Sequence, residues 1–258
     1  MDIFKQKFWI SITTVLALIA LWALAAYLAW VPPLYLPSPL SVLIKFNELL
    51  NKGYMDATLW QHLSASLNRV GLALILAISV AVPVGIAIGI NRVLHAAIDP
   101  LIEFYRPVPP LAYLPLIVIW FGIGEFSKVL LIALAIFAPV VVSTANGVRS
   151  VSAVRIRAAQ SLGATQYQIV RYVILPSALP DILTGVRIGL GIGWSTLVAA
   201  ELIAATQGLG FLIQSASQFL VTDLVIAGIL LIASVAYSLE IVLRCLQKKL
   251  VPWSGKSH

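Results

Sequence analysis

The chain has 258 residues, of which 60% are hydrophobic and only 10% are charged. This composition, with a mean hydropathy of +0.99, excludes an ordinary soluble globular domain and predicts an integral membrane protein. The net charge of +7 is accounted for by basic loops on one side of a membrane, so it gives no reason to expect a nucleic-acid partner.

The apolar runs predict helices that cross the membrane. Lipid cannot satisfy free backbone groups, and runs of about twenty residues match the length of a helical span. We therefore predict an all-α integral membrane protein. The third run is short and begins at a cluster of prolines, so an alternative for it is a broken helix that starts nearer Asp99. The six predicted spans are residues 8–30, 70–90, 107–122, 129–148, 182–205 and 224–243.

The first run predicts a retained anchor, because the apolar region of a cleavable signal covers only about 7–15 residues. We divide the chain into an N-terminal anchor helix with an outer segment (1–58), a core (59–244) and a cytoplasmic tail (245–258). At the start of the core, apolar residues recur at helical spacing and predict an elbow at the membrane surface that leads into the second span. These residues are Leu59, Leu63, Leu67 and Val70.

The basic residues predict the orientation of the chain, because Lys and Arg in short loops prefer the cytoplasm. With the N-terminus inside, most of the basic loop residues collect on the cytoplasmic side. Both termini and the loop after the fourth span are then cytoplasmic. The basic residues left outside are Lys45, Lys52, Arg69 and Lys128.

The loop after the fourth span is a polar, arginine-bearing segment, VSAVRIRAAQSLGATQYQIVRYVILPSALP, at residues 151–180. We predict a short helix over 152–162 that ends at Gly163, a second segment over 166–173 that begins at the N-cap Thr165, and a stop at Pro176. Two short helices that meet at a bend suit a docking site. An ordinary solvated loop is the alternative.

This segment resembles a motif of a known family. Ala158-Ala159, Gly163 and the run Val173-Ile174-Leu175-Pro176 are similar to the EAA loop in the permease subunits of ATP-binding-cassette importers, although Arg157 stands where that family usually has an acid. The resemblance implies that the loop couples to a cytoplasmic ATPase. The coupling residues that it implies are Arg157, Ala158, Ala159, Gln160, Ser161, Leu162, Gly163, Ala164, Thr165, Leu175 and Pro176.

The resemblance extends over nearly the whole chain. Residues 53–69, 99–125 and 178–211 are similar to the permeases of taurine importers, whose wider group carries alkanesulfonates and nitrate. It implies a six-helix, type I (MetI-like) permease bundle that forms the translocation pathway for taurine or a related sulfonate in a bacterial inner membrane. The implied partners are a second permease copy, a dimer of the cytoplasmic ATPase and a periplasmic substrate-binding protein.

The sequence offers no catalytic constellation, and we expect a transport subunit without a cofactor or metal. It has no phosphate-binding G-x-x-x-x-G-K-S/T loop, so energy must come from a partner or a gradient. A permease for another small anion such as nitrate, and a carrier driven by an ion gradient, remain alternatives.

Ionisable residues within or near spans usually face an interior or a cavity, because exposing them to lipid is costly. Glu103 and Arg106 lie three residues apart and could pair on one helical face. Structural pairing is one interpretation of such residues. The other is that Arg106 and Arg187 contact an anionic solute while Glu201 lies near an outer gate.

Small residues at four-residue spacing predict close helix packing. They are Gly85 and Gly89 in the second span and Gly185, Gly189 and Gly193 in the fifth.

Overall fold

The computed structural model describes residues 2–253. Regular secondary structure within these residues is helical, which confirms the all-α prediction. The helices in chain order are α1 (Asp2–Tyr27), α2 (Pro39–Lys52), α3 (Leu59–Ile90), α4 (Arg92–Tyr105), a 3-10 turn (Pro110–Tyr113), α5 (Leu114–Phe121), α6 (Glu125–Arg149), α7 (Ala153–Ser161), α8 (Gln166–Ile169), a π-helical turn (Val170–Ile174), α9 (Leu175–Ala204), α10 (Leu209–Gln218) and α11 (Thr222–Leu250).

Five of the described helical segments are long and apolar enough to span a membrane, and a bent pair formed by α4 with the 3-10 turn and α5 can supply a sixth span. This pair bends by 91°, so the third span is the broken helix that the proline cluster suggested. Proline lacks the backbone N–H that a helix needs and restricts the residue before it. Pro107, Pro109 and Pro110 therefore end α4 and force a new start.

Successive spans run in opposite directions and give the bundle two ends. We call one the Gly163 end, which holds Asn91 and residues 150–165. The other is the Glu125 end, which holds residues 122–124 and 205–208. Contacts between helix ends fix this arrangement, since Gly89 packs on Val148 at the first end and Arg69 pairs with Glu125 at the second.

The centre of the bundle is α6, which packs between α3 and α9. Glycines on both neighbours allow this approach: a Cβ added at Gly85 would lie 2.6 Å from Thr144 Cβ, and one added at Gly193 would lie 2.7 Å from Ile136 Cγ1. Gly89, Gly185 and Gly189 meet α6 in the same way. The prediction that these glycines serve helix packing is confirmed, because lipid supplies no hydrophobic drive and close van der Waals contact must hold the helices together.

Two local predictions are wrong. Pro176 does not stop the second short segment, since α8 continues through the π-helical turn into α9, and Pro176 lies in the first turn of α9, where a proline is tolerated. The run from Leu59 is not a separate surface elbow either. It is the beginning of α3, whose 32 residues extend over about 48 Å.

The last helix also runs further than the sequence suggested. α11 ends at Leu250, so the predicted boundary between core and tail at residue 244 falls inside a helix.

Candidate functional site

The bend at Gly163 is built by a complete helix-ending motif followed by a capped start. Gly163 has φ +80°, and its N–H bonds to Gln160 O at 2.9 Å while Ala164 N–H bonds to Ala159 O at 3.1 Å. This pair of bonds is the Schellman motif, which favours glycine because a side chain strains the left-handed conformation. Thr165 then caps α8 with its side chain, and Gln168 returns a bond to the Thr165 N–H.

The bent segment is anchored to the bundle by a small hydrophobic cluster. Ile169, Ile174 and Ala178 are buried in it together with Val148 of α6 and Ile182 of α9. Half-buried apolar side chains from α3, α7 and the bend complete the cluster. Because a packed interior deforms little, a displacement of the bend must be passed on to the ends of α3, α6 and α9.

The eleven predicted coupling residues divide into two groups. Those on the outer surface of the bend are exposed, and Leu162 is 88% exposed although it is apolar. The others are half-buried, and Ala159, Ala164 and Leu175 among them pack against the anchoring cluster. The exposed group is Arg157, Ala158, Gln160, Ser161, Leu162, Gly163 and Thr165, and the half-buried group is Ala159, Ala164, Leu175 and Pro176.

Arg157, which replaces the motif's usual acid, is exposed on α7. Its Nε lies 3.4 Å from Ala153 O, and it makes no ion pair with any residue in the range 2–253. Arg155 and Arg171 are exposed on the same segment. The outer surface of the bend therefore combines uncompensated positive charge with an exposed apolar side chain, which suits a protein partner with acidic groups.

A cavity of about 290 Å³ lies between the break in the third span, α6 and α9. Arg106 lines it, as do Tyr105 and Tyr113, and Ser143 and Ile188 form part of the opposite wall. The Tyr105 hydroxyl lies 3.0 Å from the Tyr113 hydroxyl and donates to Leu134 O at 2.9 Å. The predicted pathway residue Arg106, which is exposed, thus lines a partly open and partly polar cavity.

Glu103 and Arg106 do not form the pair that their spacing allowed. Within residues 2–253 neither side chain makes an ion pair or a hydrogen bond. Arg106 is the C-cap of α4 and keeps a helical backbone, with its N–H bonded to Ile102 O at 2.9 Å, so the spacing permits a pair that the side chains do not make. Together with Pro107 they line an open surface depression that shares Arg106 with this cavity.

Arg187, the second predicted cation of the pathway, is paired within the chain. Its guanidinium binds Glu240 of α11, with Nε at 3.2 Å from Oε1, and its Nη1 donates to Gln247 Oε1 at 3.1 Å. Arg244 also reaches Glu240, at 3.3 Å. Structural pairing between α9 and α11 is therefore the role that the geometry gives to Arg187.

Glu201 lies at the Glu125 end and is fully buried. Its carboxylate accepts hydrogen bonds from Arg69 Nη1 at 2.6 Å, from Ser66 Oγ at 2.7 Å and from Gly210 N at 2.8 Å. Arg69 also binds Glu125 through Nε and Nη2, and Lys128 binds Glu125 at 2.8 Å. This network joins α3, α6 and α9 to the start of α10.

The partners of Glu201 were not predicted from the sequence, because Arg69 and Lys128 were expected to lie in outer loops. The sequence does contain a signal that these polar residues are buried. His62, Ser66 and Arg69 recur at helical spacing on one face of α3. The same face carries the apolar residues Leu59 and Ala73. Polar residues on such a face need partners on other helices.

The chain is similar to several known proteins over most of its length. The family described as "Binding-protein-dependent transport system inner membrane component" matches residues 54–252. The "Taurine transport system permease protein TauC" of Escherichia coli (strain K12) is 60% identical over 96% of this chain and 90% of its own. A protein assigned as the aliphatic sulfonates transport permease SsuC of Bacillus subtilis (strain 168) is 39% identical, over 92% of this chain and 84% of its own.

Among solved structures, a chain of the MetNI methionine ABC transporter in an inward facing conformation superposes with a TM-score of 0.65 at 18% identity. The match covers 72% of this chain and 93% of that one. At this identity the likeness concerns the fold, and it confirms the predicted MetI-like bundle.

Proposed function

The chain belongs to the family of binding-protein-dependent transport system inner membrane components, and we propose that it is the membrane-spanning subunit of an ATP-driven importer for taurine or a related sulfonate. It forms the translocation pathway and couples to a separate ATPase through residues 151–176. The similarity to permeases named for taurine and aliphatic sulfonates favours a sulfonate over nitrate.

The family also favours this function over a carrier that works alone on an ion gradient. Systems of this kind depend on a binding protein, and the sequence carries neither an internal repeat nor a central carboxylate relay of the kind that secondary carriers use. The chain itself is a non-catalytic transport subunit, and ATP is hydrolysed by the partner.

The observation that carries the proposal is the exposed outer surface of the bend. Leu162 is 88% exposed at a rigidly capped turn, beside the uncompensated Arg157. Exposed apolar side chains rimmed by charge mark sites of protein interaction. The ATPase binds this surface, and the hydrophobic cluster beneath it passes the motion to α3, α6 and α9.

The Gly163 end lies in the cytoplasm, because the basic loops collect there, and the termini lie on the same side. The subunit functions in a bacterial inner membrane as one of two permease copies, with an ATPase dimer on the cytoplasmic side. A periplasmic binding protein delivers the solute to the Glu125 end.

The test is solute uptake in membrane vesicles that contain this chain, its ATPase and its binding protein. We expect uptake of taurine or another sulfonate that requires ATP and stops when the ATPase is omitted. Uptake that persists without the ATPase and follows an imposed ion gradient would contradict the proposal. Preferential uptake of nitrate would contradict the choice of solute but not the importer mechanism.

A further inference from the structure

The cavity beside Arg106 lies level with the middle of two predicted membrane spans, α6 and α9. Its walls include Ala135, Ala138 and Pro139, which are close to the midpoint of α6 (Glu125–Arg149). Ile188 and Ile192 on α9 (Leu175–Ala204) are also central in their helix. The 91° break in the third span therefore places an arginine at mid-depth, next to a cavity.

An arginine at this depth is expensive unless it is paired or has a function. Two other arginines of the spans satisfy this rule, since Arg69 and Arg187 each bind carboxylates. Arg106 has no such partner within residues 2–253. Its guanidinium thus keeps its donors free, in the fork geometry that binds planar or tetrahedral oxyanions through two parallel hydrogen bonds.

The aromatic wall of the cavity is held in place by its own hydrogen bonds. Tyr105 donates to Leu134 O, so its oxygen can accept from Tyr113, and the two rings stack with centroids 6.0 Å apart. Both hydroxyls are therefore engaged with the protein. Ser143 Oγ, in contrast, makes no hydrogen bond within the described residues. Arg106 and Ser143 are the polar groups that the cavity leaves for a solute.

Glu103 adds a negative charge at the mouth. It lines the open surface depression next to the cavity with Arg106 and Pro107, and its carboxylate is also without a partner in the described range. Arg106 and Glu103 carry opposite charges beside the cavity and do not pair with each other. They therefore complement a small solute that carries both a positive and a negative group. An amino sulfonate carries an ammonium group and a sulfonate group only a few bonds apart.

We propose that this cavity is a solute site within the permease, where Arg106 and Ser143 bind the sulfonate oxygens and Glu103 binds the ammonium group. This inference rests on the proposed sulfonate import. It makes the permease itself a second point of selection, after the binding protein, and it predicts that an amino sulfonate is favoured over an alkanesulfonate that lacks the amine.

The test compares uptake of taurine and of an unaminated alkanesulfonate by vesicles that contain the complete importer. Arg106→Gln should lower the uptake of both solutes by about tenfold or more, the loss expected for hydrogen bonds from a charged group. Glu103→Gln should lower taurine uptake severalfold while uptake of the alkanesulfonate changes little. The matched control is Arg92→Gln, at an exposed arginine at the other end of α4, which should leave both rates unchanged.

The results separate this site from the proposed function. Failure of the unmodified importer to carry any sulfonate overturns the function and the site together. Normal sulfonate uptake by Arg106→Gln, or an unchanged ratio of the two solutes in Glu103→Gln, overturns the site alone. If Arg106→Gln fails to assemble with the ATPase, the ratio measured with Glu103→Gln decides, because Glu103 is exposed and belongs to no packed cluster.

Discussion

Arg69 and Glu201 form a charged pair that is almost completely removed from solvent. The side chain of Arg69 is 6% exposed and that of Glu201 is 0% exposed, with 2.6 Å between Nη1 and Oε1. Taking two charges out of water costs free energy that only good geometry and further hydrogen bonds can offset. Ser66 Oγ and Gly210 N supply those additional bonds to the carboxylate.

We predict that Arg69→Met destabilises the folded chain by about 3–5 kcal/mol, because Glu201 would stay buried without its cation. Adding Glu201→Gln to that variant should restore part of the loss, since the uncompensated charge is then removed. Thermal unfolding in detergent measures both effects. Lys45→Met, which breaks a surface pair with Glu48, is the control and should barely move the midpoint. If Arg69→Met is as stable as Lys45→Met, the pair of Arg69 and Glu201 does not have the structural role that we give it.

At the scale of elements, the bent segment depends on one backbone conformation. Gly163 has φ +80° and Gly122, at the opposite end of the bundle, has φ +78°. A Cβ built on either residue meets no atom within 4 Å, so a side chain adds strain at both positions without a clash. Gly122 also has ψ 178°, a conformation that is essentially restricted to glycine, so a side chain there costs at least as much as one at Gly163.

We predict that Gly163→Val weakens ATPase binding, because a β-branched residue raises the energy of the left-handed conformation by about 1–2 kcal/mol and reshapes the bend. The measurement is the amount of ATPase that co-purifies with the permease from detergent extracts. Gly122→Val carries at least as large a backbone cost at the Glu125 end and should retain the ATPase. Equal retention by the two variants would show that the bend does not form the docking surface.

The elements differ in how well the sequence predicts them. Apolar run length places the spans, the prolines break the third span, and Gly163 with Thr165 sets the bend, since each of these signals acts within a few residues. The pair of Arg69 and Glu201 joins residues 132 positions apart, and sequence spacing carries no direct information on such a contact. The π-helical turn before Pro176 was also missed, because its backbone register depends on packing at residues 169–182.

At the scale of the whole molecule, α3, α6 and α9 contact one another at both ends of the bundle. The anchoring cluster joins them at the Gly163 end, and the network of Arg69, Glu125 and Glu201 joins them at the other. Glycine contacts with α6 hold the helices together between these points. We expect three helices joined at both ends to move as a rigid body. In the proposed homodimer we therefore expect the pathway to open and close by rotation of one permease copy against the other, with the proposed solute cavity carried along.

This mechanism requires the two ends to lie on opposite sides of the membrane, with the bend in the cytoplasm. Leu162 at the bend is 88% exposed and Ile123 at the Glu125 end is 75% exposed, so both positions can be labelled after substitution by cysteine. The single native cysteine, Cys245, is exposed and must first be replaced, as Cys245→Ser. In that background, an impermeant maleimide should label Leu162→Cys in inside-out vesicles and Ile123→Cys in right-side-out vesicles.

Adding the ATPase should slow labelling of Leu162→Cys and leave Ile123→Cys unchanged, because only the bend is covered by the partner. Labelling of Leu162→Cys from the outer face would reverse the orientation and remove the basis for ATPase coupling through this segment.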